Sequence, residues 1–263
     1  MLKVLDYKEP ERIFGQLDVA GTCVIRGVFS EFDCENIASK LELLELENGP
    51  QIINPDREQH LIAQTVDHLV SLKHLEKIQY LKNVKLVSRF LRRVMKNERI
   101  LTLLSQYFKS PVTALNSQYT FKKYGTKFGN QNFVPHQDAS TYKPSNESLV
   151  SIQLSISEMD KKNGGLFVIP GSHKYGLLES KYTQDFSKGS VKDCGNGCKV
   201  PRGLKRYYLR TFPGDLIFIR GYLIHGSEPN ETKGSDRQVF GWMTARRDTK
   251  FLRGRFADPK LLF

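Results

Sequence analysis

The chain has 263 residues, of which 39% are hydrophobic and 11% aromatic, so it can bury a core and is not a disordered chain. Its 20 glycines and 11 prolines are ordinary numbers, which excludes collagen-like and low-complexity proteins. No stretch is as long and apolar as a membrane span, and the N-terminus lacks the apolar run and small residues of a signal peptide. We therefore expect a cytoplasmic protein with no membrane partner.

The formal net charge of +12 is compatible with an anionic partner such as nucleic acid, a phosphorylated small molecule or a coenzyme thioester. The basic residues are scattered in pairs, without a polybasic tail or a nucleic-acid motif, which favours an ordinary solvated basic surface and argues against a nucleic-acid partner. Nothing in the pattern indicates an oligomeric state. Without a secretory signal, the four cysteines are predicted to be free thiols, although the last two could supply half of a zinc site: Cys23, Cys34, Cys194 and Cys198.

The first 110 residues have mainly helical patterns. A short strand is predicted at residues 22–28, and residues 30–33 resemble a capping box at the start of a helix. Apolar residues keep a helical period over residues 84–108, and Asn97 is expected to divide this stretch into two helices. Three histidines lie in mostly polar helical sequence and are expected on the surface: His60, His68 and His74.

After residue 110 the hydrophobic period changes to two, which predicts strands. Residues 149–157 carry Ser151 and Gln153 on their polar face, and residues 115–122 carry Gln118. Further strands are predicted at residues 166–169, 207–211, 216–220, 223–225 and 238–246. Helices followed by strands predict an antiparallel β core with helices on one side. The polar strand faces fit either solvent, which would suffice for Ser151, or the ligand-holding interior of a barrel.

His136 and Asp138 stand at positions i and i+2 of a segment that we expect to be extended, so both side chains point the same way. His225 ends an apolar strand much later in the chain. Two histidines and one carboxylate form the facial triad typical of non-haem Fe(II) oxygenases, which leaves three coordination positions open. A His-x-Asp motif alone is a weak signal and is more often a loop histidine that is hydrogen-bonded to its neighbour. The stretch of predicted strands between Asp138 and His225, followed by a histidine at the end of a strand, favours the metal site.

Arg237 follows His225 by twelve residues, at the start of the last predicted strand. Its planar guanidinium can bind a carboxylate through two parallel hydrogen bonds, whereas the usual role of an arginine is a surface salt bridge. The position on the strand after the distal histidine favours a role in holding a dicarboxylate cosubstrate.

Together these segments resemble the phytanoyl-CoA dioxygenase (PhyH-like) family of Fe(II)/2-oxoglutarate-dependent oxygenases. The matching segments run in family order from about residue 14 to residue 246: residues 24–30, 136–138, 163–173, 213–215 and 225–230, with Arg237. The resemblance implies a mainly β fold, with a double-stranded β-helix (jelly-roll) core flanked by helices. It implies a single domain over residues 1–263, helix-rich to residue 110 and with the core at about 111–250.

The resemblance also implies an iron site of three ligands: His136, Asp138 and His225. It implies a 2-oxoglutarate site, to which we add Lys122 because it shares a strand face with Gln118: Arg237, Ser227, Gln118, Gln153 and Lys122. His173 would be structural. The implied reaction consumes O2 and 2-oxoglutarate, releases succinate and CO2, and hydroxylates an unactivated C–H bond of a small molecule. Because Asp138 is present, hydroxylation is favoured over halogenation.

Two other functions fit parts of the sequence. The first is a metal-binding jelly roll that does not use 2-oxoglutarate, either a cupin-like isomerase or a ligand-binding protein, in which Arg237 would be dispensable. The second is a basic nucleic-acid-binding protein with an incidental triad.

For the substrate, we expect the basic segment 174–208 to form part of a lid, with a solvated loop as the alternative. Four basic residues of this segment could bind an anionic substrate: Lys199, Arg202, Lys205 and Arg206.

Overall fold

The computed structural model describes residues 2–48, 90–125, 129–130, 132–182, 193–194 and 196–253, with the backbone alone for residues 41–48, 116–119, 182 and 193–194. The predictions for the surface histidines 60, 68 and 74 and for residues 84–89 lie outside these ranges. The described helices are α1 (Pro10–Ala20), α2 (Glu31–Asn48), α3 (Glu98–Phe108) and α4 (Asp138–Tyr142). Residues 90–95 are also helical, and Ser172–Tyr175 form a 3-10 turn.

The described strands are β1 (Val4–Asp6), β2 (Thr22–Arg26), β3 (Val112–Lys122), β4 (Asn132–His136), β5 (Val150–Ser155), β6 (Leu166–Val168), β7 (Ser180–Tyr182), β8 (Asp193–Cys194), β9 (Asn196–Cys198), β10 (Tyr207–Tyr208), β11 (Leu216–Arg220), β12 (His225–Ser227) and β13 (Arg237–Arg246). They form two sheets. The first has the order β1-β2-β11-β5-β13-β3, and the second has the order β10-β6-β12-β4-β9-β7 with β8 also beside β4. Neither sheet closes on itself.

Successive core strands alternate between the two sheets: β3 lies in the first, β4 in the second, β5 in the first and β6 in the second. The alternation resumes with β11, β12 and β13. Pairing is antiparallel except between β1 and β2 and between β4 and β8. This arrangement is the predicted jelly roll.

Local signals for the N-terminal helices are confirmed. The Ser30 hydroxyl accepts a hydrogen bond from the Asp33 amide at 3.1 Å, and the Asp33 carboxylate accepts one from the Ser30 amide at 2.8 Å, which together form a capping box. The Asn97 side chain accepts a hydrogen bond from the Arg99 amide at 3.0 Å and caps α3. The chain therefore leaves the helical state at Asn97, as the sequence predicts.

The helices cover one face of the first sheet. Ile152, Leu154 and Trp242 point outward from β5 and β13 and pack with Leu17 of α1 and Leu104 of α3 in one buried cluster. The opposite face contributes Ile217, Ile219 and Val239 to a second cluster, together with Val168 of the second sheet. This second cluster is the apolar part of the space between the sheets. No described helix is both long and apolar enough to cross a membrane.

Short elements differ most from the sequence predictions. Residues 132–135, for which the sequence analysis gives no strand, belong to β4, and the strand predicted at residues 223–225 lies at His225–Ser227. The strands β7, β8 and β9 were not predicted, because two or three residues carry no measurable alternation. Pairing with β4 defines β8 and β9, and pairing with β9 defines β7.

The buried carboxylate of Asp215 connects the first sheet to the Pro-Gly-Asp turn. Its two oxygens accept hydrogen bonds from Arg26 at 2.7 Å each, and the Phe212 amide donates to it at 3.0 Å. Gly214 in this turn has φ +89, and a Cβ there would collide with the Phe29 carbonyl. The turn therefore needs a glycine followed by an acceptor.

We expect Asp215→Ala to lower the free energy of unfolding by about 2 kcal/mol, because the Phe212 amide and the Arg26 guanidinium lose a charged acceptor. The matched control is Arg210→Ala, which removes a surface pair with Glu158 whose side chains are 67% and 47% exposed. That change should amount to less than about 1 kcal/mol. Urea unfolding of the three proteins measures both values, and equal effects of the two substitutions would contradict the prediction.

Candidate metal centre

The register between β4 and β12 places the two predicted histidine ligands side by side. His225 pairs directly with His136, and their ring centroids are 4.3 Å apart. The register then shifts, so that Ser227 pairs with Phe133. A side chain on Gly226, between His225 and Ser227, would collide with the Phe133 carbonyl and the Phe167 ring. The irregularity is thus possible because this residue is a glycine, and bulges of this kind are common beside active sites.

Asp138 joins the two histidines from the start of α4. His136 ends β4, Gln137 is extended, and Asp138 is the first residue of the helix. The Asp138 carboxylate oxygens lie 3.8 Å from His136 Nε2 and 3.7 Å from His225 Nε2. One ligand atom from each residue lies within 4.8 Å of the others, so the three residues could hold one metal ion between them. The structure therefore brings all three predicted metal ligands together.

Hydrogen bonds orient the ligand atoms. His136 Nδ1 lies 2.7 Å from the Val134 carbonyl, and His225 Nδ1 lies 3.1 Å from the Leu223 carbonyl. Each Nδ1 therefore donates to its carbonyl, which leaves the Nε2 lone pair directed at Asp138. Burial, and then the neighbouring His225, lower the pKa of His136 to about 4. The ring is neutral near pH 7, as metal binding requires.

Ser151 orients the carboxylate. Its hydroxyl donates a short hydrogen bond to Asp138 Oδ2, and the residue is 1% exposed. The sequence pattern left two alternatives for this polar strand face, solvent or a ligand-holding interior, and the burial of Ser151 agrees with the second. Only the pairing of β5 with β13 and β11 shows that this face of the strand lies inside the molecule.

Gln137, which the sequence analysis did not single out, fixes the backbone between two of the ligands. Its amide nitrogen donates to the carbonyls of Gly176 at 2.9 Å and Tyr222 at 2.6 Å, and its amide oxygen accepts from the Leu178 amide at 2.8 Å. The central residue of an extended three-residue motif points away from its neighbours. That rule is the signal that could have identified Gln137 as an anchor.

Arg237 is buried without a counterion among the described residues. It is 3% exposed, and its Nε and Nη1 atoms have no hydrogen-bond partner there. Burial alone lowers the pKa of Arg237 to about 10. Buried polar groups are normally paired, so donors in this state are suited to a ligand carboxylate.

Lys122 connects Arg237 with the second sheet. It is the direct cross-strand partner of Arg237 and is fully buried. Its ammonium donates to the Ser227 hydroxyl at 2.8 Å and to the Glu228 carbonyl, and lies 5.3 Å from the Phe133 ring. Three of the predicted cosubstrate residues are therefore neighbours, and Ser227 is only two residues from His225.

The two predicted glutamines flank one glycine of β13. Gly241 pairs with Gln153 of β5 on one side and with the backbone of Gln118 on β3 on the other. A Cβ on Gly241 would collide with the amide of Gln153, so that amide lies over the glycine. The side chain of Gln118 is outside the description. Gln153 thus lies on the inner face of the first sheet, between Arg237 and Ser151.

The remaining candidates lie elsewhere. His173 packs against Gly21, with Nε2 3.2 Å from the Asp18 carbonyl, away from the three ligands. Arg206 pairs with Glu228 at 2.8 Å. The other three basic residues proposed for the substrate are exposed: Lys199, Arg202 and Lys205. Among the cysteines whose side chains are described, all are free, as predicted: Cys23, Cys34 and Cys198.

The fold is shared with an iron-binding enzyme of known structure. The epimerase SnoN from nogalamycin biosynthesis, in complex with Fe3+, alpha ketoglutarate and nogalamycin RO, superposes with a TM-score of 0.67 at 15% identity. The match covers 97% of this chain and 89% of SnoN. At this identity the likeness establishes the jelly-roll fold and leaves the reaction to be argued from the site.

Sequence comparison supplies the family. Bovine peroxisomal phytanoyl-CoA dioxygenase is 34% identical over 107 residues, covering 40% of this chain and 31% of the bovine protein. A methylphosphonate hydroxylase of Gimesia maris is 26% identical over 143 residues, covering 51% of this chain and 48% of that protein. The matches thus span less than half of each relative. The family model "Phytanoyl-CoA dioxygenase (PhyH)" matches residues 17–239, most of the chain. The chain belongs to the phytanoyl-CoA dioxygenase (PhyH) family.

Proposed function

We propose that the protein is an Fe(II)- and 2-oxoglutarate-dependent dioxygenase that hydroxylates an unactivated C–H bond of a small molecule, with release of succinate and CO2. The observation that carries the proposal is a three-ligand cluster combined with the buried Arg237, whose Nε and Nη1 have no hydrogen-bond partner among the described residues. Lys122 and Ser227 link the two features. A dicarboxylate cosubstrate needs a cation at one end and a metal at the other.

The donor set fits ferrous iron. His136 and His225 offer neutral imidazole nitrogens, and Asp138 offers a carboxylate oxygen held by Ser151. Two histidines and one carboxylate on one side of an ion leave three positions for exogenous ligands. Bound iron would supply the O2 chemistry that no side chain can provide. Asp138 occupies the position at which related halogenases have a small residue, which supports hydroxylation.

The cationic end of the site is suited to the distal carboxylate of 2-oxoglutarate. Arg237 and Lys122 are adjacent buried cations, and burial disfavours the charge of Arg237. An anion between them would relieve this penalty and satisfy the two open guanidinium donors. Ser227 would donate its hydroxyl to the same carboxylate while accepting from Lys122. Gln153, and Gln118 by its register position, would line the cosubstrate between its two ends.

The surroundings of the site favour chemistry in the absence of bulk water. Val239 and Ile217 belong to the apolar cluster between the sheets, and both are fully buried. Such a wall strengthens the charged contacts inside and keeps a reactive intermediate from solvent. The names of the bovine dioxygenase and the Gimesia maris hydroxylase agree with oxygen transfer to carbon.

The proposal is tested by adding Fe(II) and then 2-oxoglutarate to the metal-free protein without oxygen. A visible charge-transfer band of a bidentate 2-oxoacid complex is expected. His225→Ala should abolish the band, because two of the three protein ligands cannot hold the ion in the same geometry. A folded wild-type protein without the band would contradict the proposal.

Arg237→Ala should raise the 2-oxoglutarate concentration that half-saturates this band by about 10- to 100-fold, because the distal carboxylate would lose a charge-assisted hydrogen-bonded pair. Arg210→Ala removes an exposed arginine at a distance and should leave the value unchanged. If Arg237→Ala matched the wild type, Arg237 would not be the residue that holds 2-oxoglutarate. A metal-binding jelly roll that does not use 2-oxoglutarate would instead show no band in either protein.

Ser151→Ala should weaken Fe(II) binding by about 10- to 100-fold, because the Asp138 carboxylate loses the donor that orients it. The matched control is Ser155→Ala, on the same face of β5, where the hydroxyl bonds to Thr211 at 2.7 Å and not to a ligand. Anaerobic titration with a chelator competitor measures both affinities. Equal losses in the two variants would show that the effect is general to the strand.

A further inference from the structure

One row of cross-strand neighbours runs through the two histidines and continues beyond them. His225 pairs with His136, His136 pairs with Gly197 of β9, and Gly197 pairs with Lys181 of β7. All three pairings are antiparallel. Residues directly opposite each other in antiparallel strands present their side chains on the same face. The row therefore places Lys181 on the face of the sheet that carries the histidines.

This face is the inner one. On the other side of the row, His225 pairs with Val168, which is fully buried in the apolar cluster between the two sheets. The strands β9 and β7 thus extend the inner face of the second sheet past β4. With strands about 4.8 Å apart, the Cα atoms of His136 and Lys181 are roughly 10 Å from each other. The residue between them in this row is Gly197, which itself contributes no side chain to the interval.

A side-chain contact, independent of the backbone pairing, also holds β9 to the segment 136–138 that carries two of the metal ligands. Asn196 Nδ2 donates to the Ser140 hydroxyl at 3.1 Å, and that hydroxyl donates to the Gln137 carbonyl at 2.7 Å. Asn196 precedes Gly197 and so lies on the opposite face of the strand. This contact and the backbone pairing with His136 together fix the position of β9 relative to the metal ligands.

Lys181 is exposed, and the described part of the chain gives it no ion-pair or hydrogen-bond partner. The nearest acidic residue along the chain is Glu179, which is also exposed and makes no ion pair with it there. Arg206 differs in both respects, because it pairs with Glu228 and lies beside β10 at the opposite edge of the sheet. Of these two cations, only Lys181 is without an ion-pair partner among the described residues, and it lies on the sheet face that carries the two histidines.

We propose that Lys181 binds an anionic group of the substrate, a carboxylate or a phosphate, and that the substrate chain crosses Gly197 to present a carbon to the metal centre. This inference rests on the proposed function and adds the substrate class and its anchoring residue. The site selects substrates whose anionic group lies about two strand spacings from the oxidised carbon.

The test uses three probes of equal chain length: n-octyl phosphate, octanoate and 1-octanol. Each is titrated without oxygen into the protein with Fe(II) and saturating 2-oxoglutarate, and the change in the visible band reports approach to the metal. In the wild type, at least one of the two anions should half-saturate this change at about tenfold lower concentration than the alcohol. Comparison of the phosphate with the carboxylate identifies the preferred headgroup.

Lys181→Ala should remove the preference for the anions and leave the response to 1-octanol unchanged, whereas Lys181→Arg should retain the preference. The matched control is Lys233→Ala, an exposed lysine in the loop before β13, which should behave like the wild type. A preference that persists in Lys181→Ala, or a wild type that does not prefer an anion, would overturn the inference. Failure of the proposed function is distinguishable, because the band itself would then be missing before any probe is added.

Discussion

The site depends on one constraint, the antiparallel register between β4 and β12. It pairs the two histidines directly, and the shift that follows, permitted by Gly226, brings Ser227 opposite Phe133. A slip of one residue would turn every side chain of a strand to the opposite face. The metal ligands would then separate from one another and from Ser227, which accepts a hydrogen bond from Lys122. The buried apolar cluster on the inner face disfavours such a slip.

The second feature of the interior is a buried guanidinium with open donors. Arg237 lies beside Lys122 in the core, and its Nε and Nη1 have no hydrogen-bond partner among the described residues. A protein selected for stability alone would pair or replace such donors. Functional sites are the places where this rule is broken, because a ligand completes the pairing. The open donors of Arg237 therefore support a dicarboxylate cosubstrate more directly than the fold does.

The jelly roll itself does not determine the reaction. SnoN, which shares the fold, is named an epimerase, and the relatives in the PhyH family are named for dioxygenation and hydroxylation. The outcome depends on which atom of the substrate lies near the metal. In this chain the short strands β9 and β7 extend the second sheet beside His136, so they are placed to contact a substrate that approaches the metal ligands.

The sequence by itself determined the capping of α2 and α3, most of the long strands, and the residues that form the candidate metal centre. These depend on local periodicity, on capping chemistry and on a motif resemblance, all of which can be read from neighbouring residues. Only the tertiary structure decided that Ser151 faces the ligands, that residues 132–135 form a strand, and that Lys181 shares a face with His136. These facts follow from pairing between segments that are far apart in the chain. Strands of two or three residues are too short for a sequence pattern that would predict their pairing partners.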